Sequence, residues 1–250
     1  SEYPLTAVQQ GMYVQSVLDP SGFSYNMPGA FRLKEEPDRE RLENAFRILI
    51  KEEPILRTAF VQVQGNVVAK VLEEVPFSVE LLKAEDFAQA CQKFLRPFDL
   101  SKAPLLRAAL WESVEKQWYL FVDLHHIIGD GMSTPLILQR LDEAYRKNTL
   151  QVQWNYYDYI NGLQKGETLT SCQQDLEYWM EHLKEIPEPL VLTGDFARPK
   201  EFDFKGKEYE VEISIGEKEA YERFCKENGI SLILLLRQVE EKKVLHTMMV

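Results

Sequence analysis

The heptapeptide His125-His126-Ile127-Ile128-Gly129-Asp130-Gly131 sets two of the chain's four histidines side by side. A neutral imidazole accepts a proton readily near pH 7, because its unperturbed pKa is about 6.5. Asp130, just before Gly131, can hold a turn by pairing its carboxylate with a cation. An apolar run, Trp118 to Leu124, leads directly into the heptapeptide. The pattern reads as strand, loop and helix start, with the histidines at the strand's end. Strand ends and the loops after them are where a rigid scaffold usually presents chemistry.

Side chains alternate along an extended chain, so His125 and His126 point opposite ways. That alternation weakens a metal reading, since adjacent histidines rarely share one ion and no third ligand stands out. Gly131 permits close backbone approach or an unusual φ. Ser133 opens a helix, where serine usually caps, and no Gly-x-Ser-x-Gly elbow accompanies it. Cys91 and Cys172 lie near no histidine in sequence and read as packing residues. The aromatic cluster 154–159 reads as core or as a contact between lobes.

The elements that must position these residues follow from periodicity. Thr6 caps a short helix. Residues 28–33 form a strand. Asp38 caps a helix to about Lys51, with Leu42, Ala45, Phe46 and Leu49 on one face, and Pro54 stops it. Ile55–Val63 and Val67–Leu72 form a hairpin across Gly65-Asn66. Val75–Leu82 is a further strand and Glu85–Leu95 a helix. Leu105–Glu112 and Trp118–Leu124 are strands. Met132–Lys147 is a helix with Leu136, Leu138, Leu141 and Tyr145 on its buried side. Strands and helices interleave, which implies an α/β layered architecture. Beyond residue 150 come a helix at Gln173–Leu183, a proline-punctuated connector at 185–206, a strand at Glu208–Ile215, a helix at Glu217–Asn228 capped by Gly229, and a last helix capped by Ser231.

Bulk properties bound the function. At 250 residues the chain can build a sizeable core. Its 29 basic against 40 acidic residues give a net charge of −11, which opposes a nucleic-acid binder with a basic face. No apolar stretch is long enough to span a membrane, and the first residues lack a signal-peptide pattern. Cys91, Cys172 and Cys225 are odd in number and widely spaced. They read as reduced thiols of a cytoplasmic protein.

The chain resembles the condensation domains of nonribosomal peptide synthetases, within the wider chloramphenicol acetyltransferase-like family. The signature HHxxxDG stands complete at 125–131. Leu5-Thr6-Ala7-Val8-Gln9-Gln10-Gly11-Met12-Tyr13 resembles the first motif, with Gly11 where arginine is common. Leu56-Arg57-Thr58-Ala59-Phe60 matches the end of the second, RHxxLRTxF, while Glu52 and Glu53 replace its Arg and His. Tyr156-Tyr157-Asp158-Tyr159, with Tyr178-Trp179 downstream, resembles the fourth. Tyr25-Asn26-Met27-Pro28 is also similar to the family. The likeness runs in order to about residue 230, and the later motifs are missing.

The resemblance implies an α/β (α+β sandwich) fold. Residues 1–170 would be an N-terminal chloramphenicol acetyltransferase-like lobe, and 171–250 a connector and the incomplete beginning of a second lobe. It implies amide-bond formation between a carrier-bound donor thioester and the amine of a carrier-bound acceptor. His126 would be the catalytic residue, as a base or as a positioning group. His125 would be structural, Asp130 would hold the loop through Arg57, and Gly131 would border the tunnel. No cofactor is bound; the phosphopantetheine arm arrives with the carrier. Expected partners are donor and acceptor peptidyl carrier proteins and an adjacent adenylation domain, without nucleic acid or membrane. Two copies that complete each other's cleft are a further expectation. The rivals are an epimerisation domain, disfavoured because Ser133-Thr134 stands where Ser-Trp is common, and a non-catalytic carrier-docking fragment.

Overall fold

The computed structural model describes residues 1–164, 169–186, 213–232 and 235. The chain divides into two compact units, Ser1–Tyr178 and Trp179–Val250. Among the described residues the first holds seven strands in two sheets. One sheet has the order β1-β4-β3, from β1 (Glu2–Pro4), β4 (Asn66–Val71) and β3 (Thr58–Val63), all antiparallel. The other has the order β2-β7-β6-β5, from β2 (Gly29–Arg32), β7 (Trp118–Leu124), β6 (Leu106–Glu112) and β5 (Val79–Leu81). Only β5 runs parallel to its neighbour β6, so this sheet is mixed.

β6 and β7 are its centre, buried on both faces, and alternation sorts their side chains. Leu106, Ala108, Leu110, Leu120, Val122 and Leu124 enter the main core. Ala109, Trp111 and Phe121 face the opposite way and pack on Ala90 and Phe94, from helix α3 (Phe87–Phe94). A strand with cores on both sides reads as a nearly continuous apolar run, which is the texture of both segments.

The helices start where their capping residues dictate. Thr6 and Gln9 form a full capping box on α1 (Ala7–Leu18). Asp38 caps α2 (Arg39–Glu52), whose buried stripe is Leu42, Ala45, Phe46, Leu49 and Ile50. Asp86 caps α3. α4 (Ser133–Lys147) buries Ile137, Leu141 and Ala144, a stripe one residue out of phase with the expected Leu136 and Leu138. Spacing of i, i+4, i+7 fits 3.6 residues per turn better, and Leu136 is left on the side that lines a cavity.

Two boundaries also differ. Pro54–Arg57 form a 3₁₀ turn rather than the start of β3. The hairpin turn falls on Gln64-Gly65, both at positive φ (50° and 84°), with Val63 paired to Asn66. A type I′ turn needs φ above zero at both central residues, and Gly65 serves as the second of them. α5 (Tyr156–Gln164) follows, then α6 (Leu169–His182).

In the second unit, α7 (Ile215–Asn228) has a Ser214–Glu217 capping box and ends on Gly229 at φ 64°, as a left-handed cap requires. The expected strand at Glu208–Ile215 lies outside the described residues up to 212, and Ile215 opens α7 instead. Most of the last expected helix also lies outside them.

Candidate active site

The end of β7 is fastened from two sides. His125 N–H donates to Leu105 O at 3.0 Å, and His126 N–H donates to Tyr25 O at 2.8 Å. Between them, Met27 N–H donates to Leu124 O at 2.8 Å, and Asn26 forms a β-bridge with His125. The chain then turns at once into a 3₁₀ turn, His126–Ile128. β7 thus ends at Leu124, His125 prolongs it by the single bridge to Asn26, and the turn begins at His126.

His125 is 4% exposed. Its Nδ1 accepts from Ile127 N–H at 3.1 Å, so the ring proton sits on Nε2. That proton is donated to Ser16 Oγ, 3.3 Å away, and Ser16 donates in turn to Met12 O at 2.9 Å. Burial, with His126 adding to it, pushes the His125 pKa down to about 4. This is a neutral side chain that fastens α1 to the loop.

His126 is half-buried and lines a cavity of about 560 Å³. Its Nδ1 is buried and has no hydrogen-bond partner among the described residues. Gln9 and Met12 of α1, Glu53 at the end of α2, and Ile137 and Arg140 of α4 also line this cavity. Gln9 is 5% exposed; its Nε2 donates to Ile127 O at 3.0 Å, while its Oε1 accepts from Thr6 N–H at 3.1 Å. One side chain thus completes the helix cap and holds the 3₁₀ turn. Thr6 was legible as the cap, whereas neither contact of Gln9 was.

Asp130 is exposed and does not pair with Arg57. Its Oδ1 accepts from Met132 N–H at 3.1 Å, Ser133 N–H at 3.0 Å and Ser133 Oγ at 2.8 Å. Those contacts, the Ser133 hydroxyl first, hold its pKa below the usual carboxylate range. Asp130 is the anionic cap of α4. Ser133 is locked in the same cap, which leaves it no role as a nucleophile. Arg57 instead donates to Leu72 O at the end of β4, and its Nε is buried without a partner among the described residues. It closes the 3₁₀ turn before β3, so its guanidinium is used locally.

The glycine requirement also falls elsewhere than expected. A Cβ on Gly131 would meet nothing within 4 Å, and its φ is not in the left-handed region. A Cβ on Gly129 would lie 3.0 Å from Leu124 Cδ1 and 3.1 Å from Ser133 Cβ. Gly129 is the residue that lets the loop lie against β7 and α4.

Two of the charge pairs that the sequence did not announce are buried at least in part. Arg107 and Asp123 are cross-strand partners on β6 and β7, with Nε 3.6 Å from Oδ2 and exposures of 8% and 0%. Asn26 Nδ2 donates to the same oxygen at 2.6 Å, and Arg107 stacks 3.6 Å over the Phe98 ring. Burial pushes the Asp123 carboxyl up and the Arg107 guanidinium down to about 10, against their mutual attraction. One charge inside each apolar strand run was the available signal. Glu53 and Arg140 form the second pair, and no spacing links them.

The aromatic cluster divides. Tyr157 is core: it stacks on Tyr3 at 4.1 Å and donates its hydroxyl to Thr58 Oγ1 at 2.7 Å, which donates to Pro54 O. Burial raises its pKa to about 12. Tyr156, Tyr159 and Trp154 line the cavity, and Trp154 is 77% exposed. Among the described residues, no group of three His, Cys, Asp or Glu could hold a metal ion, and no helix is long and apolar enough to cross a membrane.

A family model for the condensation domain matches residues 1–239. Bacitracin synthase 3 of Bacillus licheniformis is 34% identical over 238 residues, covering 94% of this chain and 4% of that protein. Surfactin synthase subunit 2 of Bacillus subtilis (strain 168) is 34% identical over 241 residues, covering 95% of this chain and 7% of that protein. The starter condensation domain of rhizomide synthetase superposes with a TM-score of 0.65 at 23% identity, covering 76% of this chain and 49% of that one. The X-domain in complex with OxyB from teicoplanin biosynthesis gives 0.68 at 25% identity, covering 80% of this chain and 47% of that one. The chain spans about half of these solved chains and less than a tenth of these curated relatives.

Proposed function

The chain belongs to the condensation domain family, and from that premise we propose that it forms amide bonds between carrier-bound substrates. An acceptor amine attacks the carbonyl of a donor thioester. The tetrahedral intermediate expels the thiol, the amine loses one proton, and the acyl group is left on nitrogen. The thioester is already activated, so the step draws on no nucleotide. Each phosphopantetheine arm belongs to a carrier protein, and an adenylation domain would load the carriers. Reduced thiols and the relatives' roles as parts of peptide synthases support a cytoplasmic setting.

One observation carries the reading: His126 stands at the strand end on the wall of a cavity, while its neighbour is buried and committed. The two roles of His126 are not equally supported. Among the described residues no carboxylate or carbonyl accepts from Nδ1. A free α-amine has a pKa near 8, which leaves neutral nucleophile available near pH 7 without a strong base. The geometry favours an imidazole that orients the amine and the tetrahedral intermediate. Positioning of two bound reactants contributes more than the 10²–10⁴-fold typical of proton transfer.

The test mixes the chain with an aminoacyl donor carrier and an aminoacyl acceptor carrier, and detects dipeptidyl thioester by mass spectrometry. Product is expected. Exchange of the donor α-proton without product would instead mean epimerisation. Carrier binding with neither reaction would mean a docking module.

A further inference from the structure

Glu53 and Arg140 meet as an ion pair in the wall of the His126 cavity. The backbone of Glu53 is fully used: its N–H donates to Leu49 O at 2.9 Å, and its carbonyl accepts from Leu56 N–H at 3.0 Å. Its side chain is 8% exposed and that of Arg140 25%. A carboxylate so buried is tolerated only with a counter-charge, and Arg140 supplies that charge, although Glu53 Oε1 makes no hydrogen bond among the described residues. Glu53 occupies the position where the second motif of the family carries histidine. The departure is therefore matched by a partner on another helix.

The place of the pair along α4 gives it a consequence. The far end of α4 is pinned to α2 by other contacts: Arg41 Nε donates to Tyr145 O at 2.7 Å, and Asn44 Nδ2 to Asn148 Oδ1 at 2.7 Å. Among the described residues, Glu53–Arg140 is the polar contact that joins α2 to the half of α4 nearer the cavity. That half begins at Ser133, which is bonded to Asp130, four residues after His126. We propose that the Glu53–Arg140 pair is a positioning clamp for His126. It fixes the cavity side of α4 against the end of α2 and, through Ser133 and Asp130, the loop that carries the imidazole.

The test uses four variants of the full chain: Arg140→Leu, Glu53→Leu, the double leucine variant, and the charge reversal Glu53→Arg/Arg140→Glu. The first readout is the His126 Cε1–H resonance, assigned by its loss in His126→Ala. The second is the split between kcat and KM, which alone rests on the condensation reading. Folded single variants should displace the resonance and lower kcat by about 10²-fold with little change in KM, the scale of a 1 Å misplacement. The charge reversal should restore both. An unmoved resonance in a folded single variant overturns the clamp, as does a reversal that restores nothing. Should the single variants not fold, the double leucine variant decides, because apolar replacement of a buried pair is often tolerated. Its resonance must then be displaced. A wild-type chain without turnover would defeat the condensation reading and leave the resonance test standing.

Discussion

His125 has both ring nitrogens committed, Nδ1 as acceptor from Ile127 and Nε2 as donor to Ser16, and this sets its response to acid. The unfolded side chain takes up a proton near pH 6.5, while the folded one resists to about 4. Between those values the unfolded state binds more protons, so stability falls as pH falls through the window. The contribution is complete above pH 6.5, and about 3 kcal/mol of it is lost by pH 4. Urea midpoints across this range should drop steeply for the native chain and less for His125→Gln; equal slopes would refute the assignment. The glycines make a second residue-scale contrast. Gly129→Ala should destabilise by about 1–3 kcal/mol through overpacking, because its Cβ would press on Leu124 and Ser133. Gly131→Ala should change chemical-denaturation stability little, since its Cβ meets open space. The heptapeptide announced the histidines, but which glycine is constrained depends on packing across β7 and α4, and no spacing encodes that.

Helix starts were legible where a capping side chain precedes an amphipathic run, as at Thr6 and Asp38, whereas the Ser214 cap lay hidden inside the strand expected to run to Ile215. Capping is local chemistry, settled within three residues of sequence. Where an element depends on a distant partner the reading slipped: β5 keeps only Val79–Leu81 of a longer expected strand, because only those residues pair with β6. The role of Asp130 slipped likewise. A carboxylate before a helix has a local option, the amides of the first turn, and it took that option over Arg57. Gly11 tests the element itself. It lies exposed within α1, with nothing within 4 Å of a Cβ. Gly11→Ala should therefore stabilise the chain by about 0.5–1 kcal/mol in thermal or urea unfolding. A loss of stability would mean that α1 is not the regular helix described.

Across the whole molecule, β6 and β7 carry the site and the core together. One face feeds the main core, and the other carries Phe121, Asp123 and His125 in alternation toward the smaller cluster and the loop. The Arg107–Asp123–Asn26 contacts tie that second face to the segment that fastens His126. Arg107→Met would strand a carboxylate with no exposed surface and should cost about 3–5 kcal/mol. The Arg107→Met/Asp123→Leu double variant should recover much of that loss. Unfolding curves for the two variants check both expectations. The α/β class was legible from the interleaving of strands and helices, and the family from motifs that survive in order. The cavity was not legible, because its wall joins residues from α1, α2, α4 and the loop before α5 that share no local pattern. Under the proposed function the paired histidines divide the labour, His125 holding the fold and His126 serving the reaction. The direct measurement is the rate of dipeptidyl thioester formation beside the melting temperature for His126→Ala and His125→Ala. His126→Ala should lower the rate by about 10²-fold or more with its melting temperature kept, and His125→Ala should lower the melting temperature. A His126→Ala chain that still forms product at the native rate would contradict that division.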